Sequence, residues 1–304
     1  MKQSMTRQSM RRQSIPQAPS WRSGHVWLFL LLVCLFALAA DTLRLRLDHP
    51  NTMLDRFAMW GPAFATAITC WRCRIDIRAL GWGWPRARWL VLAGLAPLLY
   101  AAPVYLATWI AVPQAFAPGP FMASIAGSYG LAPWPLAATL TVGLPLLLTV
   151  GLISGLTWAL GEETGWRGFL FPRLLARFGF NRACLLGGLI WAAWHYPALI
   201  WGHYNAGTHP VFALACFTCS ATALSFVLGW LRLRSASIWP CALLHASHNL
   251  LVQAIFDPLT ADTGLARYLS TEFGIGLAFA IALLALILGR SFRARAPQDR
   301  PSHV

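Results

Sequence analysis

Glu162 and Glu163, with Arg167 four residues beyond the second, sit in the run Gly-Glu-Glu-Thr-Gly-Trp-Arg-Gly at the end of an apolar segment. Only 10 of 304 residues are Asp or Glu, so two adjacent carboxylates at a membrane border are poor candidates for filler. Ionisable groups at membrane depth are costly and persist mainly where they pair or react. On a helix, Glu163 and Arg167 face each other at i and i+4 in the favourable order, acid toward the amino end. Glu162 is turned from them by one residue step, roughly 100°, and addresses a different partner. One acid is thus held charged while its neighbour is free to act as a base, a split that adjacent carboxylates in a poorly hydrated site reinforce. In a soluble protein the same string would read as a solvated helix-end salt bridge; the membrane setting reverses that reading.

Two further polar points lie in the following apolar runs. His195 is about twelve residues into its segment, roughly 18 Å deep at 1.5 Å per residue. Trp191 precedes it by four, shares its face and offers an aromatic wall, and Pro197 loosens the backbone just beyond. His245 and Asn249, again i and i+4, project two polar groups from one face, an arrangement able to hold an oxyanion. His248 is one position off that face and is the less favoured choice. His203 and His209 fall in an outer loop and read as structural.

The elements that must position these residues are membrane helices. Hydrophobic residues make up 57% of the chain and charged ones 11%, against roughly a quarter charged in an ordinary soluble domain. Apolar runs near the length needed to span a bilayer number about eight, at 26–43, 57–72, 88–111, 135–160, 183–201, 211–231, 237–256 and 268–289; the second is short and the fourth long. Arginines cluster in the amino-terminal tail, in 72–88, in 167–182, at Arg232 and Arg234 and at Arg290, Arg293 and Arg295, while 112–134 carries no charge. Because cytoplasmic loops are enriched in Lys and Arg, the expectation is an all-α polytopic bundle of about eight spans with both termini cytoplasmic. The net charge of +14 falls in these short clusters, with no single basic stripe, which argues against a nucleic-acid partner.

Residues 1–24, with their repeated Gln-Ser, read as a disordered basic tail, 25–290 as the bundle and 291–304 as a cytoplasmic tail. A signal peptide over 1–40, ending near Ala37-Leu38-Ala39, is the competing reading of the amino end. Cys70 to Cys73 and Cys216 to Cys219 have C-x-x-C spacing but no zinc-site flanks, so they read as small hydrophobes. The 16 Trp residues fit interfacial belts and lipid contact. No nucleophile is needed, and the helical offsets of Cys241 and Ser247 favour packing.

The three motifs together resemble the CPBP family, which groups type II CAAX prenyl endopeptidases with Abi-type and bacteriocin-processing membrane proteases. They are Glu162-Glu163 to Arg167, Trp191 to His195 and His245 to Asn249, covering about 135–255. Two positions depart from the pattern: Trp191 stands where Phe is usual, and Ala198 where the eukaryotic prenyl endopeptidases carry Asn. The resemblance implies intramembrane peptide hydrolysis. Glu162 would be the base that, with His195, activates a water; His245 and Asn249 would stabilise the oxyanion; Glu163 and Arg167 would hold the first motif in place. It leaves open zinc held by Glu162, His195 and His245, although H-E-x-x-H is absent and a cofactor-free mechanism is preferred. The rivals are a transporter, where such residues relay protons, and a non-catalytic immunity protein. The expected setting is a bacterial inner membrane, with a peptide or membrane-protein tail entering from the inner leaflet or cytoplasm.

Overall fold

A computed structural model describes residues 22–46, 52–132, 134–202, 204 and 207–293. Most of the basic tail, residues 294–304 and His203 therefore lie outside the described residues. Helix α1, Ser23–Arg46, is apolar all round: Val26, Phe29, Val33 and Ala40 are buried, while Trp27, Leu31, Leu35 and Leu38 face outward. A helix apolar on both faces belongs in a membrane or a large core. Helix α2, Thr52–Met59, leads through Trp60 into α3, Gly61–Cys73, which stops at Arg74 in the left-handed region (φ 55°). Thirteen residues reach only about 20 Å, so α3 alone falls short of the bilayer's apolar thickness.

Helix α4, Ala87–Ala111, is a full-length span, and α5, Pro118–Ser128, occupies the uncharged connection after it. The helical run Leu136–Ile200 is too long for one crossing; it turns at Gly179, whose φ of 73° and ψ of 174° are open to glycine alone. Its arms, 136–178 (α6) and 180–200 (α7), fold back on each other: Phe171 meets Phe180, and Trp166 meets Trp194. Helix α8, Pro210–Ser235, packs on α7 and on the last helix. Helix α9, Trp239–Leu251, continues as wide π turns over Val252–Phe256 and packs between α4 and α6. A short α10, Ala266–Leu269, precedes α11, Ile275–Arg293.

The chain is thus an all-helical bundle, with four helical runs among the described residues long and apolar enough to cross a membrane and a shorter apolar helix at Ile275–Arg290. One expectation is corrected. The fourth run does not end at the glutamates; α6 continues to 178, so Glu162 and Glu163 lie well inside it. The extension was hidden because Arg167, Arg173 and Arg177 make the stretch look like a loop. Arg167 and Arg173 are in fact buried, Arg173 with its guanidinium 3.7 Å from the Phe169 ring centre and bonded to the Phe169 carbonyl at 2.7 Å.

Glycine makes the close approach around the first motif possible. A Cβ on Gly161 would sit 2.8 Å from the Met59 carbonyl oxygen, and one on Gly165 would sit 2.4 Å from Pro62 Cβ and 2.9 Å from its carbonyl oxygen. The small-x-x-x-small spacing lets the start of α3 lie directly on α6. Thr164–Leu170 widens to π turns immediately after the glutamates, an irregularity frequent at functional sites.

Candidate active site

Gly179 places the first two motifs at one depth. Glu162 and His195 each lie about 16 residues from the turn, roughly 24 Å along antiparallel arms. Glu162 is 1% exposed, and its Oε2 accepts from two indoles, Trp166 Nε1 at 3.1 Å and Trp191 Nε1 at 2.7 Å. Oε1 makes no hydrogen bond among the described residues. Glu163 is fully buried and turned to other partners, as the 100° step requires. Its Oε1 accepts from Arg167 Nη1 at 3.0 Å and lies 3.0 Å from His245 Nδ1.

Those bonds fix the imidazoles. His195 Nδ1 is 2.9 Å from the Trp191 carbonyl, which can only accept, so Nδ1 carries the proton and Nε2 of the neutral ring keeps its lone pair. His245 donates Nδ1–H to Glu163, leaving Nε2 for a ligand. Trp191 stands between the two rings, edge-on to His195 at 6.0 Å and to His245 at 5.4 Å between centroids, with the Arg167 guanidinium 4.5 Å from its ring centre. The aromatic wall read from sequence is present, and its N–H is a direct partner of the first carboxylate.

Glu162, Trp191, His195, His245 and Asn249 all line one cavity of about 590 Å³. Glu163 and Arg167 sit behind it. Cys241 and Ser247 are buried away from it, all seven cysteines are free thiols, and the exposed His209 precedes α8.

A second polar wall was missed by the sequence reading. Glu272 Oε1 accepts from His248 Nε2 at 2.8 Å and Gln253 Nε2 at 2.9 Å, its Oε2 accepts from the Tyr204 hydroxyl, and His248 Nδ1 lies 2.7 Å from the Tyr100 hydroxyl. All but Tyr100 line the cavity. His248, less favoured on helical offset, therefore faces the same space with a carboxylate partner of its own. The available signal was Glu272 itself, an acid beside an apolar run in a chain nearly free of acid. The remaining missed partner, Trp166, stands four residues after Glu162.

Residues 144–251 match the family model described as type II CAAX prenyl endopeptidase Rce1-like. That segment is similar to the CAAX protease family. A curated relative, CAAX prenyl protease 2 of Methanococcus maripaludis, is 27% identical over 106 residues, covering 34% of this chain. The aligned part spans 38% of that relative's length. The matched segment contains all three motifs and the hairpin that joins the first two, so the family likeness and the cavity coincide. Glu272, Tyr204's partner in the second polar wall, lies beyond it.

Proposed function

We propose that the cavity hydrolyses a peptide bond in a membrane-associated or peptide substrate, with Glu162 and His195 activating water. Glu162 takes one proton from a water held against His195 Nε2, and the oxygen adds to the scissile carbonyl carbon. The negative charge on the carbonyl oxygen falls to His245 Nε2 and the Asn249 amide. The ring of His245 must carry a second proton to donate there, and the Glu163 carboxylate bonded to Nδ1 balances that charge. When the intermediate collapses, the proton held by Glu162 passes to the departing amine, so water's atoms end in one new carboxyl and one new amine terminus. The observation that carries the reading is Trp191, which bonds to Glu162 and lies against both imidazoles, tying residues of three helices to one space.

Glu162→Gln is expected to abolish most cleavage while membrane insertion stays normal. A fully active Gln variant would remove the hydrolytic reading and leave a binding or transport role. Metal-free chemistry is part of the proposal. The described His, Cys, Asp and Glu side chains form no group of three placed to hold an ion. Activity lost to a chelator and restored by zinc alone would overturn this part. Ala198, in the cavity wall where eukaryotic prenyl endopeptidases carry Asn, favours a substrate without a prenyl group. A bacterial inner membrane with both termini cytoplasmic is the proposed setting, and comparing protein termini in cells with wild-type and Glu162→Gln protein would identify the substrate.

A further inference from the structure

The two ends of the bundle differ sharply in charge. At one end lie 72–88, the α6–α7 turn with Arg173, Arg177 and Arg182, Arg232 and Arg234 in the last turn of α8, and Arg290 on α11; Asp76 is the single acid there among the described residues. These segments are held together: Arg232 donates to the Leu80 and Arg167 carbonyls, and the Trp239 indole to Trp82. At the opposite end lie the carboxyl end of α1, the connection after α7 and the segment 257–274. There Asp41, Asp257, Asp262 and Glu272 stand with Arg44, Arg46 and Arg267, α2 adds Asp55 and Arg56, and Asp41 is paired to Arg44 and Asp262 to Arg267, so the charges nearly cancel instead of running basic. Lys and Arg in short connections set orientation, so the arginine-rich end is cytoplasmic.

The cavity reaches the other end. Beyond the motif residues it is walled by Asp41 and Arg44 of α1, Trp201 and Tyr204 after α7, Gln253 after α9, and Glu272. None of its lining residues comes from the arginine-rich connections. Trp201 is 68% exposed, a large ring at the rim. This placement favours the face opposite to the inner-leaflet or cytoplasmic entry expected from sequence: His195 lies five positions before the end of α7, in the half of the bundle away from the basic end.

We propose that the cavity receives its substrate from the extracytoplasmic side, so that the chain cleaves peptides or membrane-protein tails displayed on the outer face. The proposal takes the hydrolytic reading for what happens inside the cavity, but its orientation stands on charge and cavity placement alone. A cytoplasmic prenylated protein would have no path to this mouth.

The test uses the full chain with Cys34, Cys73 and Cys219 replaced by Ser, leaving the buried thiols in place. Single cysteines are then introduced at Ala198 in the cavity, at Asp262 on the non-basic end and at Ile77 on the basic end, the last 44% exposed. Each is exposed to a small membrane-impermeant thiol reagent in spheroplasts and in inverted vesicles, with labelling normalised to that in detergent. Ala198→Cys and Asp262→Cys should react at least tenfold faster in spheroplasts, and Ile77→Cys at least tenfold faster in inverted vesicles. The reverse pattern, or equal rates for Ile77→Cys and Asp262→Cys, would refute the orientation. Reaction of Asp262→Cys but not Ala198→Cys from outside would refute the outward mouth. Labelling requires no turnover, so these outcomes are separate from loss of activity in Glu162→Gln.

Discussion

The neighbouring glutamates offer the sharpest comparison, because the same isosteric change should do opposite things at adjacent positions. Glu163→Gln keeps the shape and an acceptor oxygen but removes the charge beneath Arg167 and His245, both about 3.0 Å from Oε1. Hydrogen bonds to charged groups contribute about 1.5–3 kcal/mol and neutral ones about 0.5–1.5 kcal/mol, so the two bonds together weaken by about 2 kcal/mol. Arg167, 2% exposed, then keeps a buried charge without its carboxylate; breaking such pairs costs about 3–5 kcal/mol, part of which its position over Trp191 offsets. A net loss of about 3 kcal/mol follows, or roughly 5 °C in melting temperature for a chain of 304 residues. Glu162→Gln should behave differently. Its carboxylate has two neutral indole donors and no paired cation among the described residues, so the about 2 kcal/mol lost from those bonds is largely offset by removing an unpaired buried charge, and stability should change by about 1 kcal/mol or less, whereas loss of a general base should lower turnover by about 10²–10⁴-fold. Thermal unfolding in detergent alongside peptide cleavage separates the two. Equal melting temperatures for both variants, or a Glu162→Gln protein that unfolds early, would refute the assignment of one acid to structure and the other to chemistry.

Trp191→Phe, which installs the family's usual residue, keeps a ring between the imidazoles but removes the 2.7 Å bond to Glu162; cleavage should fall about tenfold, for about 1.4 kcal/mol of lost orientation, with little change in melting temperature. An unchanged kcat/KM would show that Trp166 alone orients the carboxylate. Gly165→Ala drives a methyl into Pro62, whose backbone cannot step aside, and should cost about 1–3 kcal/mol and lower activity by shifting the first motif, as read by unfolding and cleavage together. At the end of the bundle away from the arginine-rich connections, burial pushes the Asp257 carboxyl up to about 7 from its ordinary 3.8, although the Tyr105 hydroxyl donating to it works the other way. The folded state therefore holds this proton more tightly than the unfolded chain, so its stabilising share is full below about pH 4 and lost as pH rises through 7. Melting temperatures of wild type relative to Asp257→Asn should accordingly fall between pH 5 and 8, and a difference that is flat or rises with pH would contradict that environment.

Fold class and the motif residues were legible because membrane burial leaves strong marks: long apolar runs, few acids, and polar residues that recur at helical spacing. What stayed hidden depends on contacts between helices. A hydropathy scan ends a span at the first arginines, yet Arg167 and Arg173 are covered by Glu163, Trp191 and Phe169, so α6 runs on. The glycines flanking the glutamates could be seen, but not that they face Pro62 and Met59 across 100 residues of chain. Helical offset set His248 aside because it stands next to the His245 face; the cavity is wide enough to take both, and Glu272 and Tyr100 fix the second ring.

The turn at Gly179 connects these observations. A hairpin of two membrane helices fixes which residues meet, since positions about equally far from the turn lie at one depth: Glu162 and His195 stand 17 and 16 residues from Gly179, and Trp191, one helical turn nearer, bonds to Glu162. The third motif comes from α9, which no hairpin ties to the first two; Glu163 reaches it instead, through His245. The paired acids thus point to two different neighbours, Glu162 to the other arm of the hairpin and Glu163 to the inserted helix. Moving either acid by one position would turn it about 100° and break one of the two junctions. Adjacency of the glutamates is therefore a geometric requirement of joining three helices at one depth, which explains why the pair stands together in a chain that otherwise avoids acid.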